Sequence, residues 1–169
     1  MKLFIHFHHS FKKNLTLFEN GNLEVLEAVF LAFLKKIPQL KQTKEIHLNL
    51  TLCSRAKIKQ LNAKYRKKDK VTDVLSFPLF DDLRPDRQGE MVGIPVIELG
   101  DIFICKEVAI SQAKDFQISF EDEVFHQLAH GFLHLLGFDH ELSVQEEKIM
   151  EKYEKQLVNK IYKQMGSKK

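Results

Sequence analysis

The residues best placed to do chemistry are three histidines in one short run, His130, His134 and His140, with Gly131, Gly137 and Asp139 among them. Two imidazoles four residues apart on a helix share one face, with Cβ atoms roughly 5–6 Å apart, so both reach a single ion. A third ligand cannot come from further along a straight helix, because eight residues already advance it about 12 Å. Gly137 stands where the helix should stop, and glycine accepts the left-handed conformation that reverses the chain. His140 can then swing back towards the pair.

Three neutral imidazoles with the fourth position left to water is the donor set of a catalytic zinc, whereas a structural zinc closes its shell with a fourth protein ligand. Zinc lowers the pKa of bound water to about 7, which provides a nucleophile at neutral pH. One zinc ion per chain and a hydrolytic reaction are therefore expected. His-x3-His-x5-His is also the spacing of the metzincin proteases, with a glycine in register at Gly137. The glutamate those proteases use as general base would fall at Gly131. Peptide hydrolysis by that route needs the missing carboxylate to move a proton to the leaving amine. A phosphodiester instead asks for positive charge around its transition state.

Positive charge is at hand. Arg55, Lys57, Lys59, Lys64, Arg66, Lys67, Lys68 and Lys70 fall within one short stretch, opposed by Asp69 alone, and set up a local field attractive to polyanions. A solvated helix face is the plain alternative for such a run. The net charge of +3 says little by itself. Asp139, beside His140, is expected to orient a ligand imidazole or cap the turn. His126, one turn before His130, reads as an ordinary helix residue, and His6 and His8 lack a third partner at a useful spacing.

Elements must exist to hold these groups. Lys2–His8 alternates as a strand, and Leu23 to Ile37 carries apolar residues at helical spacing until Pro38. Ile46, Leu48, Leu50 and Leu52 alternate as a second strand; Ser54–Lys67 is amphipathic with Ser54 as N-cap. Val74–Phe77 and Ile102–Cys105 are short apolar strands, and Asp81–Pro95 between them reads as a long surface loop. Helices are expected over Lys106–Asp115, Ser119–Leu136 and Ser143 to about Lys163. The last two open with the capping patterns Ser119-x-x-Asp122 and Ser143-x-x-Glu146. The order predicts one α+β domain over residues 1–169, a mixed sheet of four or five strands covered by helices, with the metal site at the end of a central helix. Cys53 and Cys105 read as buried thiols, and the histidine-bearing N-terminus is neither secretory nor membrane-spanning, so a cytoplasmic location is expected.

The run from His130 to His140 resembles the HGxLHLxGxDH signature of the YbeY-type endoribonucleases, with His130, Gly131, Leu133, His134, Leu135, Gly137, Asp139 and His140 at its fixed positions. Tyr65-Arg66, the stretch from Thr72 to Pro78, and Leu99 to Ile102 look like the same family. The resemblance implies a metalloprotein that cuts single-stranded RNA, acts in ribosomal RNA maturation and works with the ribosome or its small subunit. It implies zinc ligation by His130, His134 and His140 and a cleft arginine at Arg66.

On that basis a water on zinc would attack phosphorus while Arg66, aided by Lys64, neutralises phosphate oxygens. Ser76 and Phe77 would border the cleft, one binding phosphate and the other stacking a base. Asp101 is a further candidate for holding a ligand or a turn. The competing functions are a metzincin-like protease or amidase, and a non-catalytic ribosome-binding factor whose metal only pins the last two helices.

Overall fold

The computed structural model describes residues 1–9, 11, 18, 21–87 and 89–166. Four strands, β1 (Lys2–His9), β2 (Glu45–Cys53), β3 (Val74–Pro78) and β4 (Val96–Cys105), form a sheet in the order β1-β2-β4-β3. β1, β2 and β4 run parallel, and β3 pairs antiparallel to β4. Five helices complete the chain: α1 (Asn22–Leu34), α2 (Arg55–Arg66), α3 (Lys106–Asp115), α4 (Phe120–Leu135) and α5 (Val144–Met165). This is the α+β arrangement with a mixed four-stranded sheet that the element order predicts.

Alternation decides which sheet face is dry. Leu3 and Ile5 on β1, Ile46, Leu48, Leu50 and Leu52 on β2, and Ile97, Leu99, Ile102 and Ile104 on β4 all turn into one core. α1, α4 and α5 close over that side. Phe132 of α4 stacks flat on Phe30 of α1, ring centroids 4.2 Å apart, and both rings are completely buried. Burial of one such ring stabilises the fold by about 2–3 kcal/mol. Residues of opposite parity, Cys53 and Cys105, face the other way into a smaller cluster with Ile58 and Leu75 beneath α2. Both cysteines are free thiols, and burial pushes Cys53 up to about 12.

β4 begins at Val96, six residues before the strand expected at Ile102. Its core positions switch from odd to even across Gly100, because the β2–β4 register slips between His47 and Leu48. Gly100 sits at φ +143, and a Cβ there would lie 2.2 Å from the carbonyl oxygen of Phe77 on β3. Only glycine lets β3 come that close. The irregularity hides the first half of the strand from any test of strict alternation.

α4 is the element that carries the chemistry. Ser119 caps its start by accepting from the Asp122 N–H at 3.0 Å, and Glu121, Asp122 and Glu123 complement the dipole there. Its end is a Schellman turn: Phe138 N–H donates to Leu133 O and Gly137 N–H to His134 O, with Gly137 at φ +90. Gly137 is doubly required, since a Cβ would meet Asp81 O at 2.7 Å.

Candidate metal centre

The helix end and the reversal after it bring the three histidines together. One nitrogen from each of His130, His134 and His140 lies within 4.8 Å of the other two, and no fourth His, Cys, Asp or Glu joins this group among the described residues. His130 Nε2 and His134 Nε2 are 3.1 Å apart. Tetrahedral zinc with bonds of about 2.0–2.1 Å asks for nitrogens roughly 3.3–3.4 Å apart, which His130 and His134 nearly meet, while a nitrogen of His140 lies within 4.8 Å of both. The buried Nδ1 of His140 has no hydrogen-bond partner. Burial, then the neighbouring His130 and His140, holds His134 down to about 4, keeping it a neutral donor at physiological pH. These donors fit a single ion that prefers imidazole.

His130 is oriented by a residue outside the signature. Its Nδ1 lies 3.1 Å from Oε2 of Glu154 on α5. A carboxylate accepts only, so the proton belongs on Nδ1 and the Nε2 lone pair is directed at the other two histidines. Sequence reasoning missed Glu154, although a signal existed: it lies four residues after Met150, on the flank of the stripe formed by Met150, Leu157 and Ile161.

His140 is positioned by its turn and by the loop after β3. Asp139 Oδ1 accepts from Glu141 N–H at 2.9 Å, which makes it a turn cap. Leu83 N–H donates to Leu136 O at 3.0 Å. Arg84, 3% exposed, pairs with Glu146 at the start of α5 and lies over the Phe138 ring, its Cζ 5.4 Å from the centroid. The loop read from sequence as exposed surface therefore has a buried section that braces the ligand turn.

Gly131 faces the sheet, not the histidines. A Cβ there would stand 3.0 Å from both Ile102 Cγ2 and Ser76 Oγ. A glutamate at this position would crowd Ile102 and Ser76, so the site of a metzincin's proton-transfer group is disfavoured by packing here.

A cleft of about 1160 Å³ opens over the histidines. Arg66, Ser76, Phe77 and Asp139 line it; Lys64 and Asp101 do not. Arg66 reaches across the mouth to Glu141, 3.6 Å away. Lys64 Nζ instead lies 4.8 Å from the centroid of the Tyr65 ring. Asp101 is paired in register with Asn49 and Phe77 on the sheet. Phe77 packs edge-on against Tyr65 at 5.1 Å and Phe103 at 5.8 Å. His126 also lines the cleft, 3.1 Å from the Tyr162 hydroxyl. His6 Nε2 and His47 Nδ1 face each other at 2.8 Å on the exposed sheet side, far in the chain from the ligand run.

A polar chain that sequence reasoning also missed closes one wall. Asp73 accepts from Thr72, from its neighbour's Val74 N–H and from Gln112; Gln127 donates to Gln112 and to Glu123. Burial opposes ionisation of Asp73, yet the hydrogen bonds from Gln112, Val74 and Thr72 outweigh it and hold the carboxyl below its usual range. Burial raises Glu123.

The family model described as Endoribonuclease YbeY matches residues 11–162. The chain belongs to the YbeY family. Among its YbeY relatives, the Endoribonuclease YbeY of Staphylococcus carnosus is 46% identical over 110 residues, 65% of this chain and 68% of that protein. The Endoribonuclease YbeY of Staphylococcus saprophyticus is 42% identical over 130 residues, 76% of this chain and 80% of the relative. The solution structure of TM1509 from Thermotoga maritima superposes with a TM-score of 0.59 at 29% identity, covering 97% of this chain and 93% of that one. The YbeY match thus takes in α2, the cleft and all three histidines.

Proposed function

We propose that the protein is a zinc-dependent endoribonuclease that cuts single-stranded RNA during ribosomal RNA maturation, in association with the ribosome or its small subunit. The observation that carries this reading is the three-histidine centre at the floor of an open cleft beside Arg66, in a chain whose relatives are named endoribonucleases. No described helix is long and apolar enough to cross a membrane. A cytoplasmic site of action follows from the ribosomal role.

His130, His134 and His140 would hold the ion, and Glu154 fixes which nitrogen His130 presents. When bound, zinc supplies a nucleophile at neutral pH by lowering the pKa of a water to about 7, together with charge stabilisation at phosphoryl oxygens. Arg66 binds the scissile phosphate through its planar fork of donors, exchanging the Glu141 carboxylate for phosphate oxygens. Ser76 and Phe77 bound the cleft floor and wall, where the hydroxyl meets a phosphate oxygen and the ring limits how deep a base can enter. Lys64, outside the cleft, acts on the approaching strand.

The test combines metal analysis of purified protein with cleavage of single-stranded and duplex RNA of matched sequence. One equivalent of zinc and cleavage of the single strand are expected, with His134→Ala losing both. Cleavage by a demonstrably metal-free variant sinks the reading, as does hydrolysis of peptides in place of RNA.

A further inference from the structure

The cleft has the wrong charge for its substrate. Asp73, Asp81, Glu123, Asp139, Glu141 and Glu154 line it, and Arg66 is its one lysine or arginine among the described residues. A polyanion gains little long-range attraction there, even with a divalent ion on the histidines. Seven of the eight basic residues between Arg55 and Lys70 lie outside it.

Those residues form a shaped surface. α2 buries only Ile58 and Asn62. Asn62 also builds the turn after the helix: its side chain donates to Lys70 O at 2.8 Å and its carbonyl accepts from Lys68 N–H. Lys67 takes the left-handed C-cap at φ 58. Lys64, Lys67, Lys68 and Lys70 are all exposed and adjoin Tyr65 and Arg66, which line the cleft, with Lys67 Nζ donating to Lys64 O at 3.2 Å. Lys57 continues the same flank as Lys64, seven residues back and about 10 Å down the axis. Lys59 is diverted to Asp69, 3.5 Å away. Tyr65, 55% exposed, lines the cleft beside the ridge, with its ring T-shaped to that of Phe77 and Lys64 Nζ 4.8 Å from its centroid.

We infer that RNA is held mainly outside the cleft, with its phosphates on the ridge of Lys57, Lys64, Lys67, Lys68 and Lys70 and a base stacked on Tyr65 where the strand turns in. The inference rests on the RNA-cleaving function proposed above. It assigns attraction to the ridge and selection of the scissile phosphate to Arg66. Phosphates on the ridge are contacted as point charges, without sequence preference. As Lys64 leaves the Tyr65 ring for a phosphate, the ring gains a stacking face that any unpaired base satisfies and a duplex does not.

The test is fluorescence anisotropy with a labelled single-stranded RNA 12-mer and the full chain, from low to moderate salt. For wild type, log Kd should depend steeply on log salt, by about 0.7 for each phosphate engaged by a single strand. Replacing Lys57, Lys68 and Lys70 by Gln should reduce that slope by roughly 2 and weaken low-salt binding more than tenfold. Tyr65→Leu should weaken binding at all salts with the slope unchanged, and Tyr65→Phe should restore it. Thermal melting of each variant alongside wild type reports its fold.

An unchanged slope and affinity in the triple variant overturns the ridge while leaving the nuclease reading intact. Equal loss of binding to polyglutamate of matched charge identifies a generic polyanion surface and also overturns it. A wild-type protein that neither binds nor cuts the RNA overturns both readings.

Discussion

Glu154 Oε2 lies 3.1 Å from Nδ1 of His130, while Nε2 of the same ring lies 3.1 Å from Nε2 of His134. α5 thus orients a histidine of the candidate metal centre without adding one of its own. Replacing Glu154 by Gln keeps the size but weakens the acceptor that sets the tautomer. Zinc affinity, measured by competition with a chromogenic chelator, should fall about 10- to 100-fold. The melting profile of the metal-free protein should hardly move, and an unaltered affinity would show that Glu154 is a bystander.

Arg66 and Glu141 face each other across the cleft mouth, both about half exposed. Such a pair contributes only about 0–1 kcal/mol, weak enough for a phosphate to displace. Arg66→Glu should abolish cleavage with zinc content intact. Glu141→Gln frees the guanidinium and should lower KM for RNA by up to about fivefold at low salt, an advantage that fades as salt rises. Steady-state kinetics at two ionic strengths decides the matter; a raised KM counts against the pairing.

Gly131 packs against Ile102 and Ser76 with no room for a Cβ at ordinary contact distance. Gly131→Glu, which restores the zincin-like base on paper, should cost about 3 kcal/mol or more through overpacking and burial of a carboxylate. For a chain of this size that lowers Tm by roughly 6–12 °C. Calorimetry reads the change, and no peptidase activity should appear.

Asp73 is held below its usual carboxylate range, so its folded pKa is depressed relative to the unfolded chain. The stability it contributes is fully present above the unfolded value of about 3.9 and is lost as pH falls through the lower folded value. Asp73→Asn should therefore be less stable than wild type from neutral pH down to about 4, with the gap closing below that. Urea denaturation at a series of pH values gives the curve, and a gap that widened in acid would reverse the assignment.

Local patterns made most of the fold legible. Strict alternation marked β2, and serine caps three residues ahead of an acid marked α4 and α5. β4 resisted because Gly100 shifts its parity, a requirement imposed by β3 and invisible to a strand read alone. At the site, the histidines announced themselves because they are neighbours in the chain. Glu154, Glu141 and the Asp73–Gln112–Gln127–Glu123 chain did not, since each becomes meaningful only through a partner tens of residues away or through a turn whose direction is set by packing. The basic run was legible as charge, but its separation from the cleft required knowing that α2 buries only Ile58 and Asn62.

The brace behind His140 bears on when the centre can assemble. A fragment of residues 119–166 would contain all three histidines and Glu154, yet not the Asp81–Arg84 segment that fills the space against Gly137 and ties Phe138 to Glu146. Closing that contact spans more than fifty residues, a costly loop that ordered partners must repay. A fragment of residues 119–166 should therefore bind zinc more weakly than the whole chain, because the turn that carries His140 would lack the segment packed against it.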